Sequence, residues 1–114
     1  MMFTKEHLAL IENGAKTQTR RVWIKPRVKT GRYYPIQIDY RTKAKGYIRV
    51  TGLRQEFLRQ ITESDAKAEG GYTVASYMEI WIKINGSWNP NQFVYVVDFE
   101  YVGVARPLAP GGGQ

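Results

Sequence analysis

The sequence predicts one α+β domain, a compact barrel of strands with short helices beside it. Apolar and polar residues alternate over residues 34–40 and again over 93–102, which is typical of strands with one buried face. Residues 73–85 instead repeat their apolar positions at helical spacing. A chain of 114 residues suits a single domain. We place that domain at residues 1–105 and expect a flexible tail at 106–114.

The first predicted element is a short helix that starts after Thr4 and ends at Gly14. Thr4 is a favourable N-cap residue, and Leu8 and Ile11 supply an apolar face. We expect His7, on the same helix, to be a surface or capping side chain. A strand is predicted over residues 21–24, because a proline two positions later ends regular pairing.

A hairpin is predicted next. Its strands cover residues 34–40 and 47–53, with a basic turn at 41–46. Most of the eight tyrosines fall at strand spacing and are expected in the barrel wall. The candidates for exposed rings on which bases could stack are Tyr33, Tyr47 and Tyr72.

Two further helices are indicated by threonine caps. Thr62 opens a helix that runs to Glu69 and stops at a glycine pair, and Thr73 opens a longer one that ends at Asn85. In the final strand, 93–102, we expect the odd-numbered side chains to be the buried ones.

Residues 14–21, Gly-Ala-Lys-Thr-Gln-Thr-Arg-Arg, form a polar motif without any acid. Such a run favours a turn or an extended conformation, and we expect it to lie outside the core, where ligand groups are usually displayed. A turn at residues 17–18 would bring the side chains of Lys16 and Thr19 together. The alternative is a solvated, basic start of a strand with no further role.

The motif resembles the signature of the ASCH domains, small RNA-associated modules with a PUA-like β-barrel. The matched positions are Gly14, Lys16, Thr17, Gln18, Thr19 and Arg21. The similarity extends less sharply to about residue 101. The resemblance implies a PUA-like barrel for the fold, and it implies RNA or a modified nucleoside as the partner.

Composition excludes several other classes of function. The chain has no cysteine, which removes disulfides, thiolate nucleophiles and cysteine-based zinc sites. With His7 as its single histidine, a histidine-rich metal site is not expected, and neither is any cofactor. No long apolar run is present at the start of the sequence, so we expect a soluble, cytoplasmic protein, monomeric by default.

Charge is distributed very unevenly. Residues 1–57 carry a net charge of +9 and residues 58–114 a net charge of −2. This asymmetry predicts a polyanion partner, most economically nucleic acid. The basic surface that we expect to contact RNA is formed by Lys16, Arg20, Arg21, Lys25, Arg27, Lys29 and Arg32. A small basic protein that merely stays soluble is the alternative.

One branch of the ASCH family hydrolyses the acetyl amide of N4-acetylcytidine, and the resemblance implies matching roles here. Lys16 would be the base, Thr19 the nucleophile and Glu69 the proton donor, with Glu63 as the second choice for the acid. Burial and neighbouring arginines would lower the pKa of the lysine, as a base requires.

Gln18 and Arg21 are predicted to contact the substrate. A non-catalytic RNA-binding module and a ribonuclease of the same superfamily remain open as alternatives.

Overall fold

A computed structural model describes residues 1–108 of the chain. Within this range, four antiparallel strands form one curved sheet, a half-barrel, and three α-helices pack beside it. The helices are α1 (Lys5–Glu12), α2 (Glu63–Gly70) and α3 (Val74–Asn85). The strands are β1 (Gln18–Arg21), β2 (Tyr33–Ile36), β3 (Gly46–Phe57) and β4 (Phe93–Gly103). The strand order is β1-β4-β3-β2.

The α+β architecture predicted from the sequence is confirmed. Of the tail predicted at 106–114, residues 109–114 lie outside the described part of the chain.

The three helices begin at the threonines that the sequence indicates. The side chains of Thr4, Thr62 and Thr73 each accept a hydrogen bond from a backbone N–H in the first turn, at 3.1 Å. Gly71 and Gly86 end α2 and α3 with φ values of 84° and 94°, a left-handed conformation that suits glycine. Local capping chemistry therefore sets the bounds of these helices.

Strand β4 is the centre of the core, and it is buried on both faces. Val97 and Phe99 face the interior of the half-barrel, as expected for the odd-numbered side chains. Val94 and Val96 are buried too, because α2 and α3 cover the other face of the strand. The expectation was wrong at Phe93, which is 55% exposed at the start of the strand.

The strand predicted over 34–40 is shorter than expected, and β2 ends at Ile36. The carboxylate of Asp39 accepts the backbone N–H groups of Arg41 and Thr42 at 2.8 and 2.7 Å, which turns the chain before the apolar alternation is complete. Tyr40 is consequently 91% exposed.

The strand predicted over 21–24 lies three residues earlier in the structure, so the polar motif itself supplies β1. The backbone of Thr17 is held from two sides. Its N–H donates to the carbonyl of Ala68 at 2.8 Å, and its carbonyl accepts from Phe99 N–H at 2.9 Å. Pairing with β4 then continues to Arg21. The next apolar side chains, at 22 and 24, are exposed.

Candidate functional site

Half of the polar motif is buried, contrary to our expectation that it lies outside the core. Lys16, Gln18, Thr19 and Arg20 are each only 2–5% exposed. β1 stands at one edge of the sheet, where α2 packs against it. The buried charges of the motif are tolerated because acids from β3 and α2 pair with them.

Lys16 is held by three acceptors. Its Nζ donates to the backbone carbonyls of Gln18 and Glu69 at 2.8 and 3.0 Å, and to Glu69 Oε1 at 2.9 Å. An ammonium has three N–H donors, so these contacts use all of them. Burial lowers the pKa of Lys16 below its usual range, with Arg20 and Arg21 adding to the effect and the carboxylate of Glu69 opposing it.

Arg20 is the centre of a buried ionic network. Its guanidinium lies 2.9 Å from Glu69 Oε2, 2.6 Å from Glu56 Oε1 and 3.3 Å from Asp65 Oδ2. It also donates to the side chain of Gln18. With its side chain wholly buried, Arg20 is not available to an RNA phosphate. Its charge is compensated by three internal carboxylates, so this geometry gives no support to the expected contact between Arg20 and RNA.

Gln18 belongs to the same network. Its Nε2 donates to Asp98 Oδ1 at 2.8 Å and to Asp65 Oδ1 at 3.3 Å, while its carbonyl oxygen accepts from Arg20. The amide predicted to contact substrate is thus engaged within the protein, and its side chain is not part of the cavity described below.

Thr19 and Arg21 occupy the other face of β1. Arg21 Nε donates to Thr19 Oγ1 at 3.2 Å, and Arg21 Nη2 donates to the carbonyl of Met2 at 2.7 Å. The guanidinium stacks over the ring of Phe3, 4.7 Å from its centroid. Arg21 thereby fixes the Thr19 hydroxyl oxygen and leaves the hydroxyl proton available for donation.

A cavity of about 200 Å³ is bounded by α1, β1 and α3. Its polar lining includes three side chains of the motif and one of α2. They are Lys16, Thr19, Arg21 and Glu69. Apolar lining comes from Phe3, Tyr77 and Trp81. The structure thus brings Lys16, Thr19, Arg21 and Glu69 to one concave surface.

Glu63, the second choice for the acid, has a different place. Its Oε1 accepts the backbone N–H of Val74 at 3.0 Å, at the start of α3. Glu69 is therefore the carboxylate that reaches Lys16, because it lies on the last turn of α2, facing β1.

Sequence reasoning missed two contributors to this cavity. His7, expected at the surface, lines it, and its Nε2 hydrogen-bonds with Tyr72 Oη at 3.0 Å. Burial, together with the charges of Lys16 and Arg21, lowers the pKa of His7 to about 4. Tyr77 of α3 also lines the cavity. The signal for His7 was its spacing of four residues from the buried Ile11, which puts both on one helix face.

The remaining cations of the predicted RNA surface are separate from the cavity. They lie exposed in the loop between β1 and β2, at Lys25, Arg27, Lys29 and Arg32. Within residues 1–108, no acidic group lies within 4.0 Å of their charged nitrogens. Their positive charge is therefore available to a partner, unlike that of Lys16 and Arg20.

In the described part of the chain, no three metal-ligating side chains come together in a way that could hold a metal ion. None of the helices between residues 1 and 108 has the length and apolar character needed to cross a membrane.

Comparison with solved structures shows the same fold in several proteins. The ASCH domain of Lactobacillus crispatus JV V101 superposes with a TM-score of 0.71 at 16% identity, covering 85% of this chain and 70% of that one. A protein of Enterococcus faecalis V583 gives a TM-score of 0.65 at 22% identity, with coverages of 90% and 75%. The ASCH protein of Zymomonas mobilis gives 0.62 at 15% identity, with coverages of 91% and 70%.

None of the curated proteins compared with the chain matches it. The family model for the ASCH domain matches residues 1–103, which is nearly the whole sequence. The chain therefore belongs to the ASCH domain family.

Proposed function

We propose that this ASCH domain recognises RNA or a modified nucleoside by taking a single base into the cavity between α1, β1 and α3. ASCH domains generally bind RNA. The observation that carries the proposal is the buried ion pair between Lys16 Nζ and Glu69 Oε1, 2.9 Å apart, in the wall of a cavity with aromatic side chains.

The size and lining of the cavity support a base as its occupant. Its volume of about 200 Å³ is below the range of about 300–1,000 Å³ that drug-sized ligands occupy. Tyr77 and Trp81 offer rings for apolar or stacking contact, and the Thr19 hydroxyl offers a polar group for a base edge. A whole nucleotide would leave its sugar and phosphate outside, beside Arg21.

The same residues support a reaction, hydrolysis of the acetyl amide of N4-acetylcytidine. Transfer of one proton from Lys16 Nζ to Glu69 Oε1, across their 2.9 Å contact, would create a neutral amine and a neutral carboxylic acid together. These are the general base and the general acid that amide cleavage needs. Burial favours the neutral amine of Lys16, because a buried ammonium loses its hydration, and this lowers the pKa of the lysine.

In this proposal the Thr19 hydroxyl gives its proton to the Lys16 amine and its oxygen bonds to the acetyl carbon. The bond between that carbon and N4 then breaks, and N4 takes the proton of Glu69 to leave as the amino group of cytidine. Water hydrolyses the acetyl ester on Thr19, which releases acetate and restores the hydroxyl. Arg21, already bonded to Thr19 Oγ1 at 3.2 Å, would stabilise negative charge that develops on the acyl oxygen.

A non-catalytic reader is the second candidate, and a specific observation favours it. Lys16 has three satisfied N–H donors, and both oxygens of Glu69 are paired, one with Lys16 and one with Arg20. A cavity in which the charges of Lys16 and Glu69 are compensated can bind a base by shape and hydrogen bonding without any proton transfer.

The experiment that separates these candidates follows N4-acetylcytidine by chromatography. An amidohydrolase releases cytidine, and Thr19→Val should abolish turnover while nucleoside binding persists, because valine has the same shape without a hydroxyl. Thr19→Ser should retain part of the activity. Thr51→Val, an exposed position on β3, is the matched control and should turn over normally.

Binding of the nucleoside without release of cytidine would identify the protein as a non-catalytic reader. Cleavage of an RNA strand with its acetyl groups intact would identify a ribonuclease. Normal turnover by Thr19→Val would refute the proposed nucleophile, and absence of both RNA and nucleoside binding at low salt would refute the proposed function as a whole.

A further inference from the structure

A second, larger groove lies at the opposite edge of the sheet from the cavity. It has a volume of about 680 Å³ and is formed by the outer surface of β2 and β3 together with the segment that follows β4. Tyr34 and Ile36 of β2 point into the core, so Tyr33 and Pro35 project to the outside. Tyr47 lies directly across from Pro35 on β3 and shares this outer surface.

The groove combines two aromatic rings with positive charge. Arg32 and Arg106 both line it, and its described lining contains no acidic residue. The neighbouring loops add exposed cations, at Lys25, Arg27 and Lys29 before β2 and at Arg41, Lys43 and Lys45 after it. None of these six has an ion-pair partner within residues 1–108.

We propose that this groove is a second RNA subsite, which binds nucleotides of a single strand. Bases would stack on Tyr33 and Tyr47, and Arg32 and Arg106 would contact the phosphates beside them. Flat rings bordered by guanidinium groups are the chemistry that single-stranded nucleic acid requires, because every base has a face that can stack. The volume is within the range of small-ligand sites, about 300–1,000 Å³, and can hold a nucleotide.

This inference rests on the proposed function, since it extends RNA recognition from one base to a strand. The cavity at β1 would select the base, and the groove at β2 would supply affinity for neighbouring nucleotides. The affinity for a nucleoside should therefore depend only on the cavity, whereas the affinity for an oligonucleotide should depend on both sites.

The test measures binding of a fluorescent single-stranded RNA by anisotropy and of a nucleoside by calorimetry. Tyr33→Leu and Tyr47→Leu should each weaken RNA binding by about 5-fold to 150-fold, as expected when a stacked base loses its ring. Nucleoside binding should not change. Tyr33→Phe should keep its affinity for RNA, because phenylalanine also stacks. Tyr40→Leu is the matched control, since Tyr40 is exposed outside the groove.

The phosphate contacts have their own readout. Arg32→Gln and Arg106→Gln should each reduce the slope of log affinity against log salt by about 0.7, the value for one phosphate contact on a single strand. Lys67→Gln, on the exposed surface of α2, should leave the slope unchanged.

If both leucine variants bind RNA as tightly as the natural sequence does, with thermal unfolding unchanged, the proposed subsite is wrong and the groove would bind another class of partner. Nucleoside binding would still stand in that case, so failure of the groove is distinguishable from failure of the cavity. Equal losses in Tyr33→Leu and Tyr40→Leu would also overturn it, because general surface effects would then explain the result.

Discussion

Two arginines contact the same carboxylates but differ in burial, which allows the buried network to be tested directly. Arg20 and Arg54 both reach Glu56 and Asp65. The side chain of Arg20 is 0% exposed, whereas that of Arg54 is 43% exposed. We expect Arg20→Met to lower the free energy of unfolding far more than Arg54→Met, although each removes one positive charge.

The magnitudes follow from the desolvation of the charges left behind. Removal of Arg20 leaves Glu69 with Lys16 alone and takes the closest cation from Glu56, in a site that is shielded from solvent. Breaking such a buried pair costs about 3–5 kcal/mol. The contacts of Arg54 are 3.2–3.8 Å long and face solvent, so its removal should cost no more than about 1 kcal/mol.

Urea unfolding followed by tryptophan fluorescence measures both variants. With a denaturant dependence of about 1–3 kcal/mol per molar, the midpoint of Arg20→Met should fall by roughly 2 M and that of Arg54→Met by well under 1 M. Arg20→Lys keeps the charge but not the forked guanidinium, so its midpoint should lie between those of the two methionine variants. It replaces Arg20→Met in the comparison if that variant does not fold. Equal midpoints for the two methionine variants would refute the view that Arg20 has a structural role.

Two further predictions concern packing and protonation. Gly46→Ala should lower the free energy of unfolding, measured in urea, by about 1–3 kcal/mol, because a Cβ there would lie 2.8 Å from a ring carbon of Tyr101. Gly52→Ala should lower it less, because its Cβ meets only the movable side chain of Asp98 at 3.2 Å. The reverse order of the two variants would contradict the packing. The pKa of His7 is about 4 in the folded protein and 6.5 in the unfolded one. The neutral His7 therefore makes a contribution to stability that is complete above pH 6.5 and is lost as the pH falls towards 4. His7→Gln should lack that part of the loss, and an NMR titration of His7 with a pKa near 6.5 would contradict its burial.

The helices could be predicted from the sequence because their signals are local. Thr4, Thr62 and Thr73 each satisfy a backbone donor within their own first turn, and this requires nothing from the rest of the fold. The strand ends could not be predicted in the same way. The turn at Asp39 forms through two short hydrogen bonds, and these compete with an apolar alternation that would otherwise extend the strand.

The burial of the polar motif was the largest failure of sequence reasoning, and its cause is physical. The acids that bond the polar side chains of the motif are contributed by β3, α2 and β4, at Glu56, Asp65, Glu69 and Asp98. They lie between 36 and 80 residues away from their partners in the chain, so no local pattern reveals the pairing. The glutamate beside Lys16 came only from the family resemblance, which favoured Glu69 over Glu63.

This pairing also changes the meaning of the net charge of +7. Lys16, Arg20 and Arg54 are neutralised by acids within the protein, so they add little to the field outside it. Seven cations without an ion-pair partner in residues 1–108 lie in the loops on either side of β2, away from the cavity. Attraction of a polyanion and selection of a base would therefore depend on different residues. Neutralising the loop cations should reduce the salt dependence and rate of RNA association, whereas Thr19→Val should leave both unchanged and act only at the cavity.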